Sequence, residues 1–539
     1  RSKEQFYTRL LPALWSAIGV NWYLTEQWWR KFMRWKLALW RPDRSFFKKG
    51  ENMGSSPYHR DTLVHAIQTA ALENNTYGQH CAWLEGEINA NSLSSIFGPY
   101  HIYNVLFRDT SRTPLRPTVS SWGGNMMTVF RKAGQIAMRS GWSEDDYALA
   151  WDLAEKFTGG HTKRRVGNIL LAGYRQNLLY DKGSYDPSQL KSYKDPASAL
   201  ETGHRVAYAK RIQSAGRMWR IFDTDEPSEN ALNSFQVLNA VSSKIGVLSG
   251  GSVQISNDGG QLWPKGTLSS KYQPDDLADL LANASWNRTT FALDPPVEDT
   301  ATPSKYCYGV GNLLSSYYSG KLTKFIQHVL MVKPGVIPGW PYPIWMIFED
   351  IVSHVDAVKG KLTQVLMLNT EAQPTGTAGS LTFDAGVARF FHRVLKPASV
   401  EVAYVTGPVV DGVTYPATNV KNYDDPAGVR TEINPATLAT GTQEWLTLFL
   451  PCPKTVAAPP TLTLIDDATY IGFTAAGIDV KAKKASPYQA SVGPPTDTTP
   501  PAAPTGLSAT GGPGFVDVNW ADNAEGDLQD YDVFRADPV

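Results

Sequence analysis

Residues 138–186 read MRSGWSEDDYALAWDLAEKFTGGHTKRRVGNILLAGYRQNLLYDKGSYD, and the fold turns on how this stretch is read. A helical end gives way at Gly159-Gly160-His161, a strand follows over 168–171, and a turn then holds Asp181-Lys182-Gly183-Ser184-Tyr185. Upstream the apolar residues keep helical spacing: Phe6, Leu10, Leu11, Leu14, Trp15 and Ile18, then Trp28, Trp29, Phe32 and Trp35, then Leu63, Ile67 and Leu72. Turn chemistry separates these runs at Arg41-Pro42-Asp43, Gly54-Ser55-Ser56-Pro57 and Arg112-Thr113-Pro114. About five or six helices fit before residue 152, fewer than a closed helical toroid needs.

Downstream the texture is short β-type runs with turns between them, at 168–171, 235–238, 246–248, 253–255, 328–332, 345–351, 362–368, 387–395, 400–405 and 445–450. Strands at such intervals without regular interleaved helices predict an antiparallel sandwich, not βαβ units. One helical insertion is expected over 275–284. The reading is therefore multidomain α+β: an (α/α) toroid-type helical domain over 1–152, an antiparallel β-sandwich over 153–490, and a Pro/Thr-rich linker over 491–503. Residues 504–539 follow the linker and resemble the opening half of a fibronectin type III module, with Trp520 on one strand and Tyr531 to Arg535 on the next. A complete module of that kind needs roughly 100 residues, so the length fits a fragment of a longer exported protein.

Composition narrows the function. The chain has 539 residues, with 51 basic and 51 acidic side chains, so it carries no electrostatic footprint for nucleic acid or an anionic membrane. Hydrophobic residues make up 42%, which excludes a disordered chain. Of the 17 tryptophans, ten fall within residues 1–151; such an excess fills a helical core or stacks on sugar rings. Cys81, Cys307 and Cys452 match no metal or redox spacing and read as small buried hydrophobes, or as one disulfide pair in an exported protein. No run of about 18 apolar residues is present to span a membrane. The sequence starts at Arg1-Ser2-Lys3-Glu4 without a leader, so any signal peptide is expected to be removed or to lie outside it.

The 138–186 stretch resembles the heparinase II/III-like family of polysaccharide lyases, which join a helical toroid to an antiparallel β-sandwich. In that family a Met-Arg-Ser-x-Trp strand, an acidic helix start, a Gly-His-x-His-x-Asp strand and an Asp-x-Gly-x-Tyr turn follow in this order. Further segments fit: Phe222 to Pro227, Asn257 to Gln261, Leu314 to Tyr318 continuing to Val332, and Trp345 to Val352. The resemblance implies that His161 is the catalytic histidine and that Tyr58, in Ser55-Ser56-Pro57-Tyr58-His59-Arg60, is the catalytic tyrosine. It places Tyr193 near the cleft as a second tyrosine. The implied reaction is β-elimination of a uronoside, in which a base removes the C5 proton, the sugar carboxylate is neutralised, and the leaving oxygen is protonated. Histidine and tyrosine supply those steps, and Arg60 favours phenolate if the tyrosine is the base.

The departures matter as well. Where the family pattern has zinc-holding residues, this chain has Lys163, Arg165 and, further on, Ser214-Ala215-Gly216-Arg217; only Asp181 is kept. A protonated lysine does not ligate zinc and one carboxylate is not a tetrahedral site, so no metal and no cofactor are expected. Lys163-Arg164-Arg165 reads either as a solvated charged run or as cations for a substrate carboxylate or sulfate. The expected substrate-binding set is Arg60, His59, Arg139, Trp142, Trp122, Lys163 and Arg165, with Trp122 and Trp142 as a sugar wall or as core. Asn21 is the candidate for neutralising the carboxylate. Glu85 and Glu87 lie two apart on a helix and point in different directions, which argues against a glycosidase pair. The leading expectation is a secreted or periplasmic lyase acting on an acidic polysaccharide. Alternatives are a non-catalytic glycan-binding protein on the same scaffold and an inverting glycoside hydrolase.

Overall fold

A computed structural model of the chain describes residues 27–47, 60–91, 108–130, 134–153, 167–179, 217–221, 296–299, 304–314, 322–353, 362–368, 373–405, 409–410, 413–414, 429–436, 441–495, 505–512 and 515–521. Within them the chain is mostly antiparallel β-sheet with few helices. The helices are α1 (Gln27–Ala38), α2 (Arg60–Leu72) and α3 (Thr76–Asn91). On α1, Met33 and Leu37 lie one turn apart and are buried, and Pro42 follows soon after the helix ends. Asn75 caps α3: its Oδ1 accepts the Gly78 amide hydrogen at 3.1 Å.

The strands run in chain order β1 (Met127–Phe130), β2 (Gln135–Arg139), β3 (Tyr147–Asp152), β4 (Asn168–Gly173), β5 (Gln176–Leu179), β6 (Arg217–Ile221), β7 (Val297–Glu298), β8 (Tyr306–Asn312) and β9 (Leu322–Val332). They continue with β10 (Ile344–Ser353), β11 (Leu362–Leu368), β12 (Thr375–Thr377), β13 (Ser380–Ala385), β14 (Ala388–Lys396), β15 (Val400–Val405), β16 (Val409–Val410), β17 (Val413–Thr414) and β18 (Val429–Pro435). The last are β19 (Thr442–Pro453), β20 (Thr463–Asp466), β21 (Tyr470–Ala475), β22 (Ile478–Lys483), β23 (Ala490–Gly493), β24 (Thr505–Gly512) and β25 (Phe515–Ala521). Among the described residues one sheet has nine strands in the order β1-β2-β3-β4-β5-β11-β18-β15, with β6 also on β11. A second has eight, β12-β13-β14-β19-β10-β9-β8-β7, and a third has four, β20-β21-β22-β23.

Three apolar clusters between these elements define four layers. The nine-stranded sheet packs on the eight-stranded one through Trp151, Leu171, Phe325, Trp345 and Phe449. Its other face packs on the helices through Ala137, Ala148, Ala150 and Ala172, which meet Met33, Leu37 and Trp40. The eight-stranded sheet turns its far face to β21 and β22 through Leu330, Met346, Leu448, Phe473 and Val480. Strands β9, β10 and β19 are covered on both faces, which is why apolar residues such as Val329 to Val332, Trp345 to Phe348 and Leu448 to Leu450 follow one another there without alternating. Glu298 ties the two large sheets together by accepting the Met126 amide hydrogen at 2.8 Å and pairing with Lys333. Lys396 and Lys484 both pair with Glu444 and Asp466, joining the eight-stranded and four-stranded sheets.

Two boundaries differ from the sequence expectation. Helix was expected to residue 152, yet β1, β2 and β3 already belong to the nine-stranded sheet. The reason is visible in Tyr147-Ala148-Leu149-Ala150-Trp151: large residues enter the sandwich and alanines face the helices, a period of two. The linker was expected from residue 491, but Ser491 to Gly493 still pair with β22 as part of β23. The expected runs at 168–171, 328–332, 345–351, 362–368, 400–405 and 445–450 fall on β4, β9, β10, β11, β15 and β19, and the run at 387–395 lies on β14 from Ala388 onward. Those at 235–238, 246–248 and 253–255, and the helical insertion, lie outside the described residues. In the terminal segment β24 and β25 form an antiparallel hairpin. All three cysteines are free and buried, as small core residues.

Candidate functional site

Helices and sheet meet over β2, β3 and β4, and the helix-facing side of these strands is polar at one end. Gln135 lies opposite Asp152, and Asp152 opposite Asn168, so three buried polar side chains form a row across three strands. Gln135 Nε2 donates to Asp152 Oδ1 at 3.0 Å, and Trp35 Nε1 on α1 donates to Gln135 Oε1 at 2.8 Å. At this row the chain leaves β3 after Leu153 and returns at Gly167, whose amide donates to the Asp152 carbonyl at 2.7 Å. The bonds from Trp35 to Gln135 and from Gln135 to Asp152 thus link α1 to β2 and β3 at this end of the junction. The segment between exit and return carries His161, Lys163 and Arg165 in the sequence.

Toward the other end of β2, Arg139 crosses to the helices. It is 1% exposed; Nη1 donates to the carbonyls of Ala38 at 2.8 Å and Trp40 at 2.9 Å, and Nε to that of Gly141 at 2.9 Å. Trp142 Nε1 donates to the Leu37 carbonyl at 3.1 Å, and the Arg139 guanidinium lies 4.4 Å from the Trp142 ring centre. Of these carbonyls, those of Leu37 and Ala38 belong to the last turn of α1, where a cation also meets the negative end of the helix dipole. Burial pulls the Arg139 guanidinium down to about 9, against a smaller upward pull from the Asp146 carboxylate, so it remains a cation at neutral pH. Asp146 shapes the turn by accepting the Ser143 amide hydrogen at 2.7 Å and the Ser140 hydroxyl at 3.1 Å. A Cβ on Gly141 would stand 2.5 Å from Asp146 Oδ2 and would displace that carboxylate from the turn.

Trp142 packs on Trp122 at a tilt of 49° with ring centres 5.0 Å apart, and Trp122 Nε1 donates to Thr128 Oγ1 at 3.1 Å. The outer partner of Trp122 is Arg34 of α1, whose guanidinium lies 4.9 Å from the ring centre. Both tryptophans are buried, so neither ring is open to a sugar, and the other described tryptophans with measured exposure, apart from half-buried Trp35, are core residues as well. Arg139 and Trp142 thus act in the described structure as a clamp between α1 and the sheet, a role that no spacing in the sequence signals.

Inside the sandwich a second polar chain ends near the same exit. Trp151 Nε1 donates to Gln327 Oε1 at 2.7 Å, while Gln327 Nε2 donates to Glu349 Oε1 at 2.8 Å and to the Gly167 carbonyl at 3.2 Å. On the far face, His328 is fully buried with Nδ1 2.7 Å from the Tyr308 hydroxyl, and Tyr488 of the four-stranded layer meets its ring edge-on. Burial, and then the Lys324 charge, hold this imidazole down to about 3.

Of the residues expected to do chemistry, Tyr58, His161 and Tyr193 lie outside the described residues, as do His59, Lys163, Arg165, Asp181 and Asn21. Arg60 opens α2. Glu85 and Glu87 on α3 reach different partners: Arg108 at 2.8 Å and Arg44 at 3.6 Å. Burial pushes the Glu85 carboxyl up, with Arg108 opposing. Among the described residues no group of three or more His, Cys, Asp or Glu side chains is placed to hold a metal, and no helix is long and apolar enough to cross a membrane.

No family model matches the chain, and no curated protein matches it in sequence. Among solved structures it is similar to the heparan sulfate lyase HepC from Pedobacter heparinus, with TM-score 0.47 and 10% identity over 91% of this chain and 58% of that one. A mutant of HepC gives 0.46 and 9% over 86% and 52%. A heparinase III, the BT4657 gene product, gives 0.47 and 10% over 86% and 52%. The chain thus spans little more than half the length of these proteins. Likeness at this level says nothing about what the chain acts on.

Proposed function

We propose that the chain is part of a polysaccharide lyase that cleaves a uronate-containing polymer by β-elimination. In the proposed step one group of the His161 and Tyr58 pair takes the C5 proton of the uronate. The electron pair forms the C4–C5 double bond as the C4–O bond breaks, and the other group protonates the leaving oxygen. Tyr193 stands beside the pair, and Arg60, His59, Lys163 and Arg165 bind the anionic substrate. No zinc or other cofactor takes part in this reading.

One observation carries it: the segment that holds Gly159-Gly160-His161 leaves and re-enters adjacent antiparallel strands at the buried Gln135, Asp152 and Asn168 row, where helices meet sheet. The order of motifs in the sequence supports the same reading. A secreted or periplasmic location and a fibronectin type III module beginning at the β24–β25 hairpin go with it. The test is a panel of uronate polymers, followed by the ultraviolet absorbance of the unsaturated product. Product that vanishes in His161→Ala and in Tyr58→Phe supports the reading, and undiminished product in either variant removes that residue from the pair.

A second reading, a non-catalytic glycan-binding protein on the same scaffold, is favoured by Lys163 and Arg165, which stand where the family pattern has histidine and aspartate. Retention on a uronate polymer with neither unsaturated product nor new reducing ends would select it.

A further inference from the structure

The stack that ends at Arg34 points outward as well as inward. In order it runs Arg139, Trp142, Trp122, Arg34, with separations of 4.4, 5.0 and 4.9 Å. The inner cation is buried and turns Nε and Nη1 to backbone carbonyls. The outer one is exposed, and no carboxylate pairs with it among the described residues. The Arg34 guanidinium carbon lies 4.9 Å from the Trp122 ring centre and the side chain is exposed, so the ring supports the cation from one side while solvent reaches it from the other.

The bed under Arg34 is rigid. Trp122 is pinned by its bond to Thr128 Oγ1 and by Trp142, and its backbone belongs to a turn in which Trp122 N donates to the Thr118 carbonyl at 2.9 Å and Gly124 N to that of Val119 at 2.8 Å. Beside the stack the turn is open: Gly123 and Gly124 adopt φ of 98° and 81°, and a Cβ at either position would meet nothing within 4 Å. Helix α1, QWWRKFMRWKLA, contains no acidic residue, and Arg30 precedes Arg34 by one helical turn, so no carboxylate on this helix competes for the charge.

We propose that Arg34, held on Trp122, is an anion subsite that binds a carboxylate or sulfate of an acidic polysaccharide bidentately, away from the bond that is cut. The ligand class rests on the lyase reading above, whereas the subsite itself rests on the stack. Pre-ordering the arginine lowers the entropy lost on binding, and the planar fork matches both anions. Trp122 then supports an arginine and is not a platform for a sugar ring.

The test uses the full chain and two probes, polygalacturonate for carboxylate alone and heparan sulfate for carboxylate with sulfate. Affinity is read from retardation in gels containing each polymer, and unsaturated product is read separately. Arg34→Gln should weaken binding of at least one probe roughly five- to tenfold and raise KM with kcat unchanged, and Arg34→Lys should recover less than half of the loss. Trp122→Phe, which keeps a bed for the arginine, should bind within about twofold of the parent. Unchanged affinity in Arg34→Gln overturns the subsite even if product forms normally. Binding that depends on Arg34 with no product from either probe keeps the subsite and removes the lyase reading. Failure of the parent chain to bind either probe overturns the subsite.

Discussion

Replacing Arg139 by methionine separates a clamp from a substrate ligand. The side chain serves four carbonyls: those of Ala38, Trp40 and Gly141 at 2.8 to 2.9 Å, and that of Leu37 at 3.3 Å, which also accepts from Trp142; it is 1% exposed. Each carbonyl left buried without a donor costs on the order of 1–3 kcal/mol, or roughly 3–6 kcal/mol for Ala38, Trp40 and Gly141 together after partial relaxation, since Leu37 keeps Trp142. Methionine also removes a charge whose burial is unfavourable, as the fall of the guanidinium to about 9 indicates. That relief offsets part of the loss, and a net destabilisation of about 2–4 kcal/mol is expected. Since α1 is tied to the sheet here, the loss should be local. Hydrogen exchange should show the amides of the last turn of α1 opening faster, while those of β10 and β19 keep their protection. Polymer affinity at a temperature where the variant stays folded should not change beyond about twofold. Unchanged exchange in α1 together with a large loss of affinity would refute the clamp and make Arg139 a substrate ligand.

His328 makes stability depend on pH. The folded chain keeps its ring neutral down to about 3, whereas the unfolded ring takes a proton near the ordinary histidine value of 6.5. The unfolded state therefore binds more protons in that window, and stability that is complete above 6.5 is lost as pH falls toward 3. By pH 5 the loss is about 2 kcal/mol; denaturant titrations across this range should show the slope, and His328→Phe should flatten it. Trp151→Ala empties the centre of the sandwich and removes the donor to Gln327, so a loss of about 3–5 kcal/mol is expected in the same titration, and less than about 1 kcal/mol would mean the two sheets do not pack there. Asp466→Asn should cost about 1 kcal/mol at low salt and less at high salt, because its two lysine partners are partly exposed; a cost independent of salt would contradict that pairing.

The strands most legible in the sequence were the buried ones. Around Leu330, Met346 and Leu448 the runs are mostly apolar because these strands lie between two other layers. The first three strands were hidden by their alanines. Ala137, Ala148 and Ala150 favour helix as isolated residues, yet here they are small because a helix sits on them, a tertiary cause with no local signature. The alternation in Tyr147 to Trp151 was the available signal. The site was legible in part: the motif at Met138 to Trp142 marked the junction, but its arginine and tryptophan reach carbonyls about 100 residues earlier, and sequence spacing does not encode such a contact. Arg34 was missed because an arginine on an amphipathic helix is ordinarily solvated, and only the position of Trp122 beneath it makes it distinctive.

The central claim is elimination, and counting chain ends in one digest tests it. An elimination leaves one unsaturated non-reducing end for every new reducing end, whereas hydrolysis leaves none. Digestion of a uronate polymer by the chain should give the two kinds of end in equal amounts. Reducing ends without matching unsaturated ends would contradict the account.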